Sequence, residues 1–297
     1  MFDEKAICAD ISASTGATFC LANHASVMGG DINETHHIEG TCGRHFFLKL
    51  NHAEYIDMFS AELEGLLELA KAQAIRIPTP ICHGKTNKHA YLVLEYIQFS
   101  SGSTAAQSQL GQQMARLHQF NSQGRGYGWH RNNTIGATPQ INTWSNEWVE
   151  FFREQRLGYQ LQLATSKGLN KTVRMKGQRL QDGLGFYFDN YIPDASLLHG
   201  DLWSGNAGFE SDGNPIIYDP AVYYGDRESD IAMTELFGGF STNFYTAYEQ
   251  MLPLDSGYSQ RRDLYKLYHI LNHFNLFGGG YASQAESIID KLLIYLP

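Results

Sequence analysis

The run Leu198-His199-Gly200-Asp201-Leu202-Trp203-Ser204-Gly205-Asn206, followed by Ile217-Tyr218-Asp219-Pro220, carries a carboxylate, an amide five residues on, and a second carboxylate 13 residues after that. Phosphoryl transfer from a nucleotide calls for such a set. A base takes the proton of the attacking hydroxyl, and two oxygen ligands hold the magnesium that bridges the phosphates. Asp201 is the candidate base. Asn206 and Asp219 are the candidate metal ligands, because magnesium prefers hard oxygen donors and takes only one or two from carboxylates.

The catalytic loop of protein kinases has the form H-R-D-x-x-x-x-N, with a metal-binding Asp downstream. His199, Asp201 and Asn206 keep that spacing, with Gly200 in place of the Arg. Pro220 stands where the D-F-G motif has Phe, which removes Phe-flip regulation from the expectation and leaves the metal role. Read singly, Asp201 is a turn or cap residue, the usual use of Asp beside Gly, and Asp219 ends a strand before proline. Read together at this spacing, they form a catalytic set.

Such a set needs elements to hold the nucleotide. Lys49 lies in the strand-like R-H-F-F-L-K-L of residues 44–50. A lysine in so apolar a strand needs a partner or an edge position. Phe59, Leu63, Leu66, Leu67 and Ala70 mark one face of a helix over about residues 53–73, ended by Pro78 and Pro80. Glu62 or Glu64 on that helix can reach Lys49. The two point about 200° apart, so only one can face the strand, and Glu62 lies beside the buried face. Gly29-Gly30-Asp31, between two strand candidates (17–27 and 36–40), is the candidate phosphate loop, since glycines let backbone N–H groups approach phosphate oxygens. Glu95-Tyr96-Ile97, at the end of a buried strand over 90–97, is the candidate hinge for the adenine edge. Asp226 and Asp230 read first as helix caps and second as a scaffold for the catalytic-loop backbone. His118 reads as structural.

The expected fold is α+β and two-lobed, of the protein-kinase-like kind. A small antiparallel sheet with one main helix forms residues 1–98, the ATP-binding lobe with the start of the hinge. A larger, mostly helical lobe over 99–297 carries catalysis and acceptor binding. Ser100 to Ser103 is the expected connector. The chain's 297 residues suffice for two such cores. A net charge of −9 argues against a nucleic-acid partner. No apolar stretch is long enough for a membrane span, and Asp3, Glu4 and Asp10 interrupt any leader-like run. Four widely spaced cysteines without C-x-x-C suggest reduced thiols and a cytoplasmic setting. Oligomeric state stays open, with a monomer as the default. His36-His37 lacks a third ligand and is assigned no metal.

His-Gly-Asp-Leu-Trp-Ser-Gly-Asn at 199–206 resembles the signature of fructosamine kinases, or ketosamine 3-kinases, in the aminoglycoside-phosphotransferase branch of the kinase-like fold. Trp203-Ser204-Gly205 is its narrower part. Gly29 to Asn33, Phe47-Leu48-Lys49, the Glu62 helix from Phe59 to Leu66, Asn133 to Gly136 with Gln140 and Asn142, Trp148 to Phe152, and Tyr218 to Asp230 also resemble family segments. Some members carry a redox-active cysteine in the glycine loop; Asp31 stands there, so that switch is not expected. The resemblance implies ATP and magnesium as cofactors and a small-molecule ketosamine or glycated amine as acceptor, phosphorylated on its 3-hydroxyl. His199, Trp203, Asp226 and Asp230 are then candidates for acceptor contact or scaffolding. Two other readings compete: a kinase of another small alcohol, such as an aminoglycoside or choline-like molecule, and a catalytically silent nucleotide-binding regulator. The second would show loss of Asp201, Asn206, Asp219 or Lys49, and none is lost. A protein kinase fits less well, as no A-P-E-like segment follows Asp219.

Overall fold

In a computed structural model describing residues 2–27 and 32–297, the chain opens with a helix that the sequence reading did not include, α1 (Glu4–Thr15). Its signals are short but physical. The Asp3 side chain accepts from the N–H of Ala6, Gly16 ends the helix at φ +68°, and only Ile7 and Ile11 are buried. With so few apolar positions, a helical period is hard to see.

Strands β1 (Leu21–Ser26), β2 (Glu34–Gly40), β3 (His45–His52), β4 (Pro80–Lys85) and β5 (His89–Glu95) form an antiparallel sheet in the order β1-β2-β3-β5-β4. Helix α2 (Ile56–Lys71) connects β3 to β4. Residues 29–31, the expected glycine loop, lie outside the described residues. The two faces of the sheet bury different cores, as the alternation of strand side chains requires. Leu48, Leu50, Tyr91 and Val93 pack with Ile7 and Ile11 of α1. Ala90, Leu92 and Leu94 pack with Phe59, Leu66 and Leu69 of α2, in a core continuous with the helical lobe. Two covered faces explain why β5 is continuously apolar from Ala90 to Leu94. Lys49, pairing with Thr35 and Leu92, points to the α2 side.

The expected connector does more than span. Phe99–Ser100 forms a short strand, β6, and Ser103 caps α3 (Thr104–Gln119) through a bond from the N–H of Ala106. The paired strands β7 (Asn133–Ile135) and β8 (Thr138–Gln140) follow. Next come α4 (Trp148–Phe152), a π-helical turn over Arg153–Gly158, α5 (Tyr159–Ser166) and α6 (Lys171–Asp182). Strand β9 (Ser196–Leu198) precedes the opening motif. The hairpin β10 (Ala207–Glu210) and β11 (Pro215–Ile217) lies between its halves, and β12 (Tyr223–Gly225) follows them. β9 pairs with β12, and β10 pairs with both β11 and β6. Helices α7 (Glu228–Thr234), α8 (Thr242–Met251), α9 (Tyr258–Phe277) and α10 (Tyr281–Leu293) complete the lobe. No helix among the described residues is long and apolar enough to cross a membrane.

Candidate active site

The two strand pairs bring the motif's halves together. Leu198 of β9 pairs with Tyr223 of β12, so the residues that leave β9 lie against those that enter β12. The N–H of Ala221 donates to the carbonyl of His199 at 2.8 Å. Asn206 precedes β10 and Tyr218 follows β11, and the N–H of Tyr218 donates to the carbonyl of Asn206 at 3.0 Å. Asp201, Asn206 and Asp219 therefore stand at the same open end of two antiparallel pairs.

All three line a cavity of about 800 Å³, together with Lys49, Glu62, Glu95, Ile97 and Trp203. The Lys49 Nζ bonds Glu62 Oε1 and Asp219 Oδ1, each at 2.6 Å. Burial works against its charge, but the two carboxylates outweigh that and hold Lys49 protonated, above the ordinary lysine range. Glu64 points elsewhere: its carboxylate is taken by His130, at 2.7 Å, and by Arg131. Gly65, one residue on, lets α2 approach the segment after Asp219, since a β-carbon there would meet Val222 Cγ2 at 3.2 Å.

Asn206 Nδ2 donates to the carbonyl of Asp201 at 2.9 Å and to its Oδ2 at 3.2 Å. Those bonds orient the amide and leave its Oδ1 without a donor among the described residues, at the cavity wall. Asn206 Oδ1 and the part-exposed Asp219 carboxylate thus supply two hard oxygen donors beside an open cavity. That fits magnesium, which keeps water and phosphate in its remaining positions. Burial pushes the Asp201 carboxyl up to about 7, with the Asp219 charge adding to it and the Asn206 bond opposing.

The backbone under Asp201 is held by buried groups. Asp230, inside α7, accepts from the N–H of His199 at 2.7 Å and of Gly200 at 2.9 Å. Burial would raise its pKa, but His118, at 3.2 Å, and these N–H groups keep it below the usual carboxylate value. Asp226, one residue ahead of the Arg227 N-cap of α7, accepts from the N–H of Glu228 and from the hydroxyls of Tyr191 and Tyr265. Neither aspartate is the N-cap of α7, and the bonds of Asp230 to the loop backbone are those of the scaffold reading. His199 is fully buried and its Nε2 faces the carbonyl of Tyr218 at 2.9 Å. Burial lowers its pKa, so it is neutral and donates from Nε2 while Nδ1 accepts from the N–H of Asp201.

The hinge residues divide. Glu95 and Ile97 line the cavity. The Glu95 carboxylate is occupied by Arg76 and by the N–H of Thr79. The Tyr96 ring turns away and stacks on His37 with centroids 3.9 Å apart. The Trp203 ring lies over Gly205, where a β-carbon would sit 2.3 Å from the ring. It begins an aromatic wall that continues through Phe237 and His273 to Phe277 and Tyr281. Beyond Trp203, this wall was not foreseen. Its members come from a loop and from two helices whose sequence spacing carries no mark of a shared site. Phe237 has a φ of +53°, a strained value for a bulky residue aimed at a cavity.

The chain is similar to known proteins of one family. The profile of the family described as fructosamine kinase matches residues 3–295. A Synechocystis protein named as a probable ketoamine kinase is 45% identical over 299 residues, covering 97% of this chain and 96% of its own length. The chloroplastic protein-ribulosamine 3-kinase of Arabidopsis thaliana is 44% identical, covering 90% of this chain and 82% of its own. The crystal structure of a candidate fructosamine-3-kinase from Haemophilus somnus superposes with a TM-score of 0.88 at 32% identity, over 97% of this chain and 96% of that one.

Proposed function

The chain belongs to the fructosamine kinase family, and we propose that it transfers the γ-phosphoryl group of ATP to the 3-hydroxyl of a ketosamine. Its class is that of a phosphotransferase with a hydroxyl acceptor, and its two-lobed kinase-like fold carries the site between an antiparallel sheet and a mostly helical lobe. The observation that carries the residue roles is the convergence of Asp201, Asn206, Asp219 and Lys49 on one cavity.

In this reading, residues 1–98 hold the nucleotide and 99–297 hold the acceptor. The adenine edge meets the backbone of 95–97; Gly29, Gly30 and Asp31, outside the described residues, are assigned to the phosphates on their sequence alone. Lys49, kept charged and aimed by Glu62, neutralises phosphate oxygens. Asn206 and Asp219 hold magnesium, whose chemistry when bound is to offset the charge of the phosphates. Asp201 orients the acceptor hydroxyl and takes its proton as general base. The aromatic wall from Trp203 to Tyr281 suits the amine-bearing part of a glycated amine, since a cationic amine is favoured over aromatic faces.

Purified protein incubated with Mg-ATP and a fructosamine should yield the 3-phosphate, followed by phosphorus NMR. Phosphorylation of an aminoglycoside or a choline-like alcohol, with none of any ketosamine, would overturn the acceptor assignment.

A further inference from the structure

Arg156 is fully buried and lies in the π-helical turn, between the rings of Phe151 and Tyr223, whose centroids are 4.6 and 4.0 Å from its guanidinium carbon. It has no carboxylate partner among the described residues, and its Nε has no acceptor. Its Nη1 donates to the carbonyls of Ile141, at 2.6 Å, and Gln155, at 3.0 Å, and its Nη2 donates to Asn142 Oδ1 at 2.7 Å. A buried, uncompensated charge is costly. Two stacked rings offset only part of that.

The bonds beyond Arg156 run in one direction. Guanidinium only donates, so Asn142 must turn its oxygen to Arg156 and its Nδ2 to the Asn133 Oδ1, at 2.8 Å. Gln140 Nε2 donates to the same Oδ1 at 2.9 Å, while Gln140 Oε1 accepts from the Tyr268 hydroxyl at 2.7 Å. With its oxygen taken twice, Asn133 must present Nδ2 to the carbonyl of Val222, at 2.8 Å. Gln140 Nε2 likewise holds the carbonyl of Ala221 at 2.9 Å. Ala221 and Val222 are the backbone that follows Asp219 and Pro220, and Ala221 also closes onto His199. Reversing any one amide would put oxygen against oxygen at its neighbour.

We propose that Arg156 is a positioning residue for phosphoryl transfer: as a donor-only head, it sets the direction of the Asn142–Asn133–Gln140 amide chain, and that chain holds residues 221–222 so that Asp219 keeps its register against Asn206. The inference rests on the reading of Asp219 as a metal ligand.

Asn142→Asp separates this role from packing. The carboxylate still accepts from Arg156 and supplies the counter-ion it lacks, but it cannot donate to Asn133 or to the carbonyl of Arg131, which the Asn142 Nδ2 also holds. The gained counter-ion opposes the lost bonds, so the melting temperature should stay within a few degrees of the wild type, while the magnesium concentration needed for half-maximal binding of a fluorescent ATP analogue should rise about ten-fold, as it does when groups behind metal ligands are lost. Tyr268→Phe, a milder change at the far end of the chain, should move the same midpoint in the same direction. Nucleotide binding needs no acceptor, so the result does not depend on which alcohol is phosphorylated. An unchanged midpoint in both variants would overturn the role of Arg156 alone. Wild-type nucleotide binding that ignores magnesium would overturn the metal reading and this inference with it.

Discussion

Asn206 Nδ2 donates to both the carbonyl and the carboxylate of Asp201, so one amide fixes the loop that carries the candidate base and the base itself. Asp201→Asn preserves size and keeps an acceptor for Asn206 but removes the proton-accepting charge. Turnover should fall by at least about 10²-fold with nucleotide affinity near wild type. Steady-state kinetics beside a nucleotide titration check this. An unchanged rate would remove Asp201 from the role of base.

The same residue should make the metal-free protein depend on pH. Its folded pKa, raised by burial to about 7, lies above the ordinary 3.8 of an unfolded aspartate. Between those values the folded state binds more protons, so stability falls as pH rises through that window and is flat above it. Asp201→Asn lacks this slope. In EDTA it should exceed wild-type stability at pH 8 by about 1–3 kcal/mol, with the gap narrowing towards pH 5. Urea unfolding at four pH values measures the gap. Equal stability at pH 8 would mean that the cavity solvates the carboxylate.

Lys49 and Glu62 were legible because their positions follow from two local periods: the strand alternation of β3 and the 100° step of α2. The pair meets at 2.6 Å, and Glu64, on the opposite side of α2, finds His130 and Arg131. Asp230 is a harder case. The sequence offers it as a scaffold only beside Asp226 and after a cap reading, and the packing of α7 against the β9 end is what selects it as the acceptor for the loop. His118 and Tyr265 escape for the same reason, joining the site from α3 and α9. No local pattern encodes a partner 30 to 112 residues away. Even α1, a local element, escaped because two isoleucines suffice where the sheet supplies the rest of the core.

Lys49 has two carboxylate partners, and removing either should act differently. Asp219→Ala leaves Glu62 in place, so the lysine stays charged and becomes free for phosphate. Magnesium-dependent nucleotide binding should weaken about ten-fold or more, while binding in EDTA stays equal or tightens. Glu62→Gln leaves Asp219 to hold Lys49 and should raise the KM for ATP with or without excess magnesium. Identical behaviour of the two variants across a magnesium titration would contradict separate roles.

The conformation of Gly200 explains why the loop of the candidate base has glycine where protein kinases have arginine. Its φ is +82°, and a β-carbon there would stand 2.0 Å from the carbonyl oxygen of Ala221. That carbonyl belongs to the residue whose N–H bonds His199, so the loop and the segment after Asp219 are pressed together at backbone distance. Gly213, in the β10–β11 turn, has a similar φ of +88° with open space around its missing β-carbon. Gly213→Ala thus reports the left-handed backbone strain alone, about 1 kcal/mol, with activity retained. Gly200→Ala adds the collision and should lose about 3 kcal/mol or more, together with most activity. The difference between the two variants in urea unfolding isolates the closeness of the two segments. If they lose the same stability, the loop relaxes around a methyl group, and the tight closure of His199 on Ala221 is not what demands glycine.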